Sequence, residues 1–168
     1  YQIDFAEGDN GWKKRSKASL NFTASSDTEM GTLTSYIEMS AAQQSGDFDE
    51  DGKWGLDHAW ISLGGLKMGY SDTAFDGSIN GEFDSFGGAT VHFIGYTFSG
   101  DGFSATLNLE EAEYNFDYMP NIVAKASYTA GSLTATGFVA YDATAEEFAL
   151  KAIVSAGIGE AGTLQVAA

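Results

Sequence analysis

The chain has 168 residues with no cysteine, which excludes disulfide frameworks and thiolate chemistry. Its 24 acidic and 8 basic residues give a formal net charge of −16, which argues against nucleic acid as a partner. No stretch of eighteen apolar residues is present, so a transmembrane helix is excluded, whereas 21 glycines and a single proline favour strands and tight turns.

Most of the chain alternates between apolar and polar residues, the pattern of a strand with two different faces. In the first clear example, Ala18, Leu20 and Phe22 alternate with Lys17 and Ser19. The same period predicts strands near residues 1–6, 33–39, 58–63, 66–71, 90–98, 103–110, 122–128, 133–141, 148–155 and 163–168. Residues 90–98 alternate less regularly, and we expect a β-bulge there. The prediction is an all-β chain of eleven strands.

The predicted connections alternate between tight and long. Tight turns are expected at residues 26–31, 64–65, 99–102, 130–132 and 159–162, and long acidic loops at 7–14, 43–55, 73–88, 112–121 and 142–146. Long loops at one end of a sheet and short turns at the other are typical of a transmembrane barrel. Lysines in mid-strand and aromatic residues near strand ends favour a wet interior and a lipid-facing band over a soluble sandwich.

A recognisable pattern lies in residues 15–22 (RSKASLNF), 28–33 (TEMGTL), 58–72 (HAWISLGGLKMGYSD), 96–106 and 121–151. These runs are similar to strands of alphaproteobacterial general-diffusion porins. It implies a trimeric, sixteen-stranded antiparallel β-barrel of the outer membrane, of which this chain supplies about the first eleven strands. We therefore expect one porin domain over residues 1–168, mature and truncated at both ends.

The resemblance also implies that residues 73–88 fold into the lumen as a constriction loop. The candidate acids of this loop are Asp72, Asp76, Glu82 and Asp84. The alternation of the strands directs a set of basic residues inward as the opposing wall: Lys13, Arg15, Lys17, Lys67, Lys125 and Lys151. Opposed charges across a narrow lumen would bias which solutes pass. The alternative for residues 73–88 is an ordinary solvated surface loop.

One acidic run has the spacing that opens a calcium-binding loop. Asp47, Asp49 and Asp51 are followed by Gly52, but the twelfth position is His58 rather than a bidentate glutamate. A solvated acidic outer loop, loosely associated with divalent ions near lipopolysaccharide, is the preferred interpretation. His58 and His92 match no metal or catalytic motif, and no nucleophile elbow is present. We expect neither a cofactor nor an enzyme.

The sequence thus predicts an outer-membrane porin that admits small hydrophilic solutes and ions passively. Because acids outnumber bases threefold, we expect a mild preference for cations. The expected partners are two further copies in a homotrimer, together with outer-membrane lipid and lipopolysaccharide. Two alternatives remain open: a non-conducting structural barrel with a plugged interior, and a soluble β-rich adhesin or binding module of the cell surface.

Overall fold

The computed structural model describes residues 2–4, 11–45, 52–77, 89–112, 118–159 and 162–168, with the backbone alone at 2–4, 11–15 and 44–45. Within these ranges there are eleven strands: β1 Gln2–Asp4, β2 Gly11–Thr28, β3 Gly31–Ser45, β4 Gly55–Leu63, β5 Leu66–Asp72, β6 Thr90–Gly100, β7 Phe103–Glu110, β8 Asn121–Ala130, β9 Leu133–Asp142, β10 Glu147–Gly157 and β11 Thr163–Ala167. The predicted number of strands is confirmed.

The strands form one antiparallel sheet in which each pairs with its neighbours in sequence. The longest ladder joins β2 to β3 and extends from the pair Lys14 and Ser45 to the pair Thr28 and Gly31. Such a meander keeps every connection local, because consecutive antiparallel strands need only a short turn between them. Within the described ranges, no helix is long and apolar enough to cross a membrane.

The register gives the sheet two chemically different faces. On the apolar face, large side chains remain exposed, as in the cross-strand row formed by Leu107, Ala124, Val139 and Leu150. On the polar face, hydroxyl groups of neighbouring strands meet: those of Thr97 and Thr106 lie 2.9 Å apart, and those of Ser127 and Thr136 lie 3.0 Å apart. An exposed apolar band opposite a hydrogen-bonded polar one is the arrangement expected of a barrel wall in lipid.

Several of the expected long loops are shorter in the structure, including the one at 43–55, into which β3 extends as far as Ser45. Strand β2 begins at Gly11, so the expected loop over residues 7–14 is partly strand. The expected long loop at 142–146 is a four-residue turn between Asp142 and Glu147. The Asp142 carboxylate accepts hydrogen bonds from the backbone N–H groups of Thr144 and Ala145, at 2.8 and 3.1 Å, and this local capping closes the turn tightly.

The predicted bulge in residues 90–98 was wrong. Strand β6 pairs without interruption with β5 and with β7, and the register shift lies instead between Glu38 and Met39, opposite β4. The alternation in β6 is blurred because Phe93, on the polar face, is buried like a core residue. In the shifted ladder Asp57 is the unpaired residue, and its carboxylate lies 3.7 Å from the Lys17 ammonium.

Candidate functional site

The predicted basic residues are described to different extents. Lys67, Lys125 and Lys151 lie on the polar face, where Lys125 and Lys151 both pair in register with Phe138. Lys17 lies beside Asp57 near the register shift. The backbone of Lys13 and Arg15 belongs to β2, and Arg15 pairs with Gln44, but their side chains are outside the described part of the structure.

The predicted acids are only partly described. Asp72 is the last residue of β5 and is exposed, and the backbone N–H of Asp76 donates to the carbonyl of Thr73 at 3.1 Å. Glu82 and Asp84 lie outside the described residues, as do Asp47, Asp49 and Asp51 of the calcium hypothesis. In the ranges that the structure describes, no three side chains are grouped as metal ligands.

Residues 73–77, which follow β5, lie across the polar face. Their first hydrogen bond runs from the backbone N–H of Thr73 to the carbonyl of Ala89, at 2.8 Å, and closes the base of the connection. From there the segment reaches strand β9, where the ring of Phe75 meets the ring of Phe138 edge-on at a centroid distance of 6.0 Å. The segment therefore covers apolar side chains that would otherwise face water.

Glu110, the last residue of β7, holds the start of this segment. Its carboxylate accepts hydrogen bonds from the Thr73 hydroxyl at 2.5 Å, from the Ala74 backbone N–H at 2.7 Å and from the Asn108 amide at 3.1 Å. Glu110 is only 3% exposed. A carboxylate this buried is costly unless its oxygens are hydrogen-bonded, and here both oxygens have donors.

Lys151 holds the other end of the segment. Its ammonium donates to the carbonyl of Phe75 and, at 3.2 Å, to the carbonyl of Gly77, and it lies 4.6 Å from the centre of the Phe138 ring. The residue is 5% exposed. Lys151 is therefore covered by residues 73–77, whereas the sequence predicted that it would face the loop across open lumen.

A second group of aromatic and charged side chains occupies the polar face of β3 to β6. The rings of Tyr36 and Trp60 are stacked at 5.2 Å, and the Lys67 ammonium lies 4.2 Å from Trp60 and 5.4 Å from Phe93. The Tyr36 hydroxyl donates to the Glu38 carboxylate at 2.6 Å. A cation beside aromatic faces is stabilised by the ring quadrupoles, so Lys67 is held against the wall.

A cavity of about 290 Å³ lies between residues 73–77 and the polar face of β7 to β10. Glu110, Asn121 and Asp142 contribute its polar lining. These groups already have partners: the Asn121 side-chain oxygen accepts from the Ala143 backbone N–H at 2.8 Å, and the carboxylates bond as described above. The cavity is therefore a recess beside the segment whose amide and carboxylate groups are already hydrogen-bonded within the chain.

Sequence reasoning missed the residues that attach the segment. Glu110 ends a strand that reads as ordinary, and Phe75 and Phe138 look like single aromatic residues of a loop and a strand. The sequence offered only a weak signal. Glu110 and Phe138 lie at positions where the alternation predicts lumen-facing residues. Contacts between residues that are 36 to 76 positions apart depend on the register of five strands, which the period alone does not give.

An exposed apolar face, a polar face and a connection that crosses the polar face define the wall of a transmembrane β-barrel. The family model described as Porin subfamily matches residues 2–168. The chain belongs to this family, and the expectation of an outer-membrane β-barrel is confirmed.

Individual proteins show the same similarity. Porin Omp2b of Brucella abortus is 33% identical over 170 residues, which cover 84% of this chain and 47% of that porin. Porin Omp2a of Brucella melitensis is 33% identical over 175 residues, covering 84% of this chain and 48% of its own length. The chain thus spans about half the length of these curated relatives.

A solved structure shares the fold. The outer membrane channel DcaP of Acinetobacter baumannii superposes with a TM-score of 0.63 at 15% identity, over 84% of this chain and 48% of that protein. The all-β barrel predicted from the alternation and the connections, and the porin type implied by the resemblance, are confirmed.

Proposed function

We propose that this chain forms part of a passive, water-filled channel through which small hydrophilic solutes and ions cross the outer membrane. The observation that carries the proposal is the opposite chemistry of the two faces of one sheet. Leu107, Val139 and Leu150 are exposed on one side, whereas Lys67 and Lys125 stand on the other. A lipid environment favours the first set and an aqueous lumen favours the second.

The proposed constriction is the connection over residues 73–88. Its support is the position of residues 73–77 on the polar face, from which the rest of the connection would continue into the lumen. In this proposal Asp72, Asp76, Glu82 and Asp84 supply negative charge, and Lys13, Arg15, Lys17, Lys67 and Lys125 supply the basic wall. Charges of opposite sign lining a narrow pore select solutes by charge as well as by size.

A mild preference for cations follows from how the wall lysines are partnered. Lys17 lies beside Asp57, Lys67 lies against Trp60, and Lys125 lies 5.2 Å from the centre of the Phe138 ring. These contacts hold the ammonium groups close to the wall, while the chain as a whole carries a net charge of −16. We expect the acid surplus to dominate the potential in the lumen.

The reversal potential in a potassium chloride gradient measures this preference. We expect potassium to be more permeant than chloride at low salt, and the difference to shrink as salt rises, because screening weakens exposed charges. Clear preference for chloride at low salt would contradict the proposed selectivity but not the channel itself.

Single-channel recording of the full-length, detergent-extracted protein in planar bilayers tests the channel. We expect stable conductance steps whose size grows in proportion to bulk salt, as expected of a water-filled pore. Well-folded protein that remains silent would overturn the proposal and would favour a structural barrel with a closed interior.

We also propose a homotrimer in contact with outer-membrane lipid and lipopolysaccharide, on the strength of the family resemblance. Conductance steps that occur in groups of three, together with a trimer mass in detergent corrected for bound detergent, are the expected results. A monomer mass with single steps would contradict the trimer.

A further inference from the structure

The attachment of residues 73–77 to the sheet is the least expected feature of the polar face. Two buried charges of opposite sign take part in it, Glu110 on β7 and Lys151 on β10. Each hydrogen-bonds groups of the crossing segment: the Glu110 carboxylate accepts from the Thr73 hydroxyl and the Ala74 backbone N–H, and the Lys151 ammonium donates to two backbone carbonyls.

We propose that Glu110 and Lys151 are positioning residues that fix residues 73–77 against the wall and thereby set the position of the constriction. The effect on the constriction rests on the proposed channel function. The attachment of residues 73–77 to the sheet does not depend on it. The proposal assigns Lys151 a role different from that of the other wall lysines, because its ammonium is buried under residues 73–77 and hydrogen-bonded to their carbonyls.

The two attachment points act at different places along the segment. Glu110 binds Thr73 and Ala74, next to the end of β5, and Lys151 binds the carbonyls of Phe75 and Gly77, farther along. Between them the Thr73 hydroxyl also accepts a hydrogen bond from the Phe75 backbone N–H at 3.1 Å. Two separated points fix both the position and the direction of a segment, whereas one point would leave it free to swing.

Burial makes each attachment costly to break. A charged group that loses its partners while still shielded from water pays most of its desolvation penalty, so partial release is unfavourable. The packing of Phe75 against Phe138 adds apolar contact at the same place. We therefore expect residues 73–77 to remain bound to the wall during conduction. Removing the charge of Glu110 or of Lys151 is expected to release them.

The chain offers a matched control for Lys151. Lys125 also stands on the polar face and also contacts Phe138, at 5.2 Å from the ring centre. In the described part of the chain it makes no hydrogen bond to residues 73–77. Lys151→Met and Lys125→Met thus remove the same charge from the two strands that flank β9, and only the first removes an attachment point.

The experiment uses full-length protein carrying Ala74→Cys, labelled with a thiol-reactive nitroxide, in phospholipid vesicles. The 168 residues contain no cysteine of their own, so within them the label attaches only at position 74; any cysteine outside these residues is first replaced by serine. We expect an immobilised spectrum, a several-fold shorter rotational correlation time in Lys151→Met, and no change in Lys125→Met. Equal spectra for the two variants, or a mobile label in the parent, would overturn the proposal.

A second pair covers the case in which Lys151→Met fails to fold. Thr73→Val removes the hydroxyl that bonds Glu110, and Thr97→Val removes the hydroxyl that lies 2.9 Å from that of Thr106 on the same face. We expect only Thr73→Val to mobilise the label. Equal mobility in the two threonine variants would contradict the role of Glu110.

Electrical recording then separates this proposal from the channel proposal. Both lysine variants should move the reversal potential toward cations, because each loses one positive charge, but only Lys151→Met should close at lower voltage and show noisier open current. Identical closure of the two variants would overturn the effect on the constriction. Absence of any channel in the parent would instead overturn the proposed function, and the spin-label result would still decide the attachment.

Discussion

Leu107→Lys should lower the free energy of unfolding by about 2–4 kcal/mol, the cost of a basic side chain on the lipid face of a barrel near the middle of the bilayer. Leu107 is 53% exposed, and its cross-strand neighbours are Tyr96 and Ala124. Ala124 offers no polar partner for an ammonium group, and Tyr96 offers only its phenol hydroxyl. The measurement is guanidinium unfolding of the full-length protein in phospholipid vesicles, followed by tryptophan fluorescence.

Thr136→Lys provides the control on the opposite face. Thr136 lies on the polar face, and its hydroxyl is 3.0 Å from that of Ser127, so the substitution loses one hydrogen bond worth about 1 kcal/mol and places its ammonium in water. A loss as large as that of Leu107→Lys would show that the two faces are not exposed to different solvents. Tolerance of lysine at both positions would argue against lipid on the apolar face.

The strand pattern could be read from the sequence because a barrel wall repeats one simple rule. Each strand must present apolar groups to lipid and polar groups to water, so the period of two is written into segments such as residues 17–24 and 103–110. Lys67 and Lys125 were placed on the polar face by that period alone, and the register puts them there.

The period of two was misleading where part of the polar face is covered by other residues instead of water. Phe93, Val123 and Phe138 stand on the polar face but are buried. Among them Phe93 lies in β6, where it made the alternation look irregular and led to the wrong bulge. The real register shift, between Glu38 and Met39, follows a single extra residue in β4 and leaves no trace in composition.

The attachment of residues 73–77 could not be read from the sequence for a related reason. Glu110 and Lys151 look like a strand-end acid and one more mid-strand lysine, and the contacts that distinguish them join residues 36 to 76 positions apart. The sequence reports which face a residue stands on. It does not report which parts of that face a crossing segment covers, and this decides whether a lysine is a free wall charge or a buried support.

Gly69→Ala should be the more disruptive of two glycine substitutions inside strands. Gly69 has a φ of +141°, and a Cβ added there would lie 2.2 Å from the carbonyl oxygen of Ala59 and 2.6 Å from the Cα of Trp60. Both obstacles are backbone atoms of β4, held in register opposite Gly69, so they cannot turn aside as a side chain would. We expect a loss of about 1–3 kcal/mol from the strained backbone and a comparable loss from overpacking.

Gly137→Ala is the matched control. Gly137 also lies inside a strand, β9, and a Cβ added there would meet nothing within 4 Å. Its substitution should change the free energy of unfolding by no more than about 0.5 kcal/mol. If the two variants unfolded at the same guanidinium concentration, the close approach of β4 and β5 at Gly69 would be contradicted.

The same pair connects stability to the polar face. The ring of Trp60 lies between Tyr36 and Lys67, and the backbone of Trp60 is the group that an alanine at position 69 would displace. We therefore expect Gly69→Ala to shift the tryptophan emission of the folded protein, because Lys67 would lose its place against the ring, and Gly137→Ala to leave it unchanged. If Gly69→Ala were unstable but its emission were unaltered, the strained backbone would not disturb the contacts of Trp60 with Tyr36 and Lys67. The role of Gly69 would then be limited to the pairing of β4 with β5.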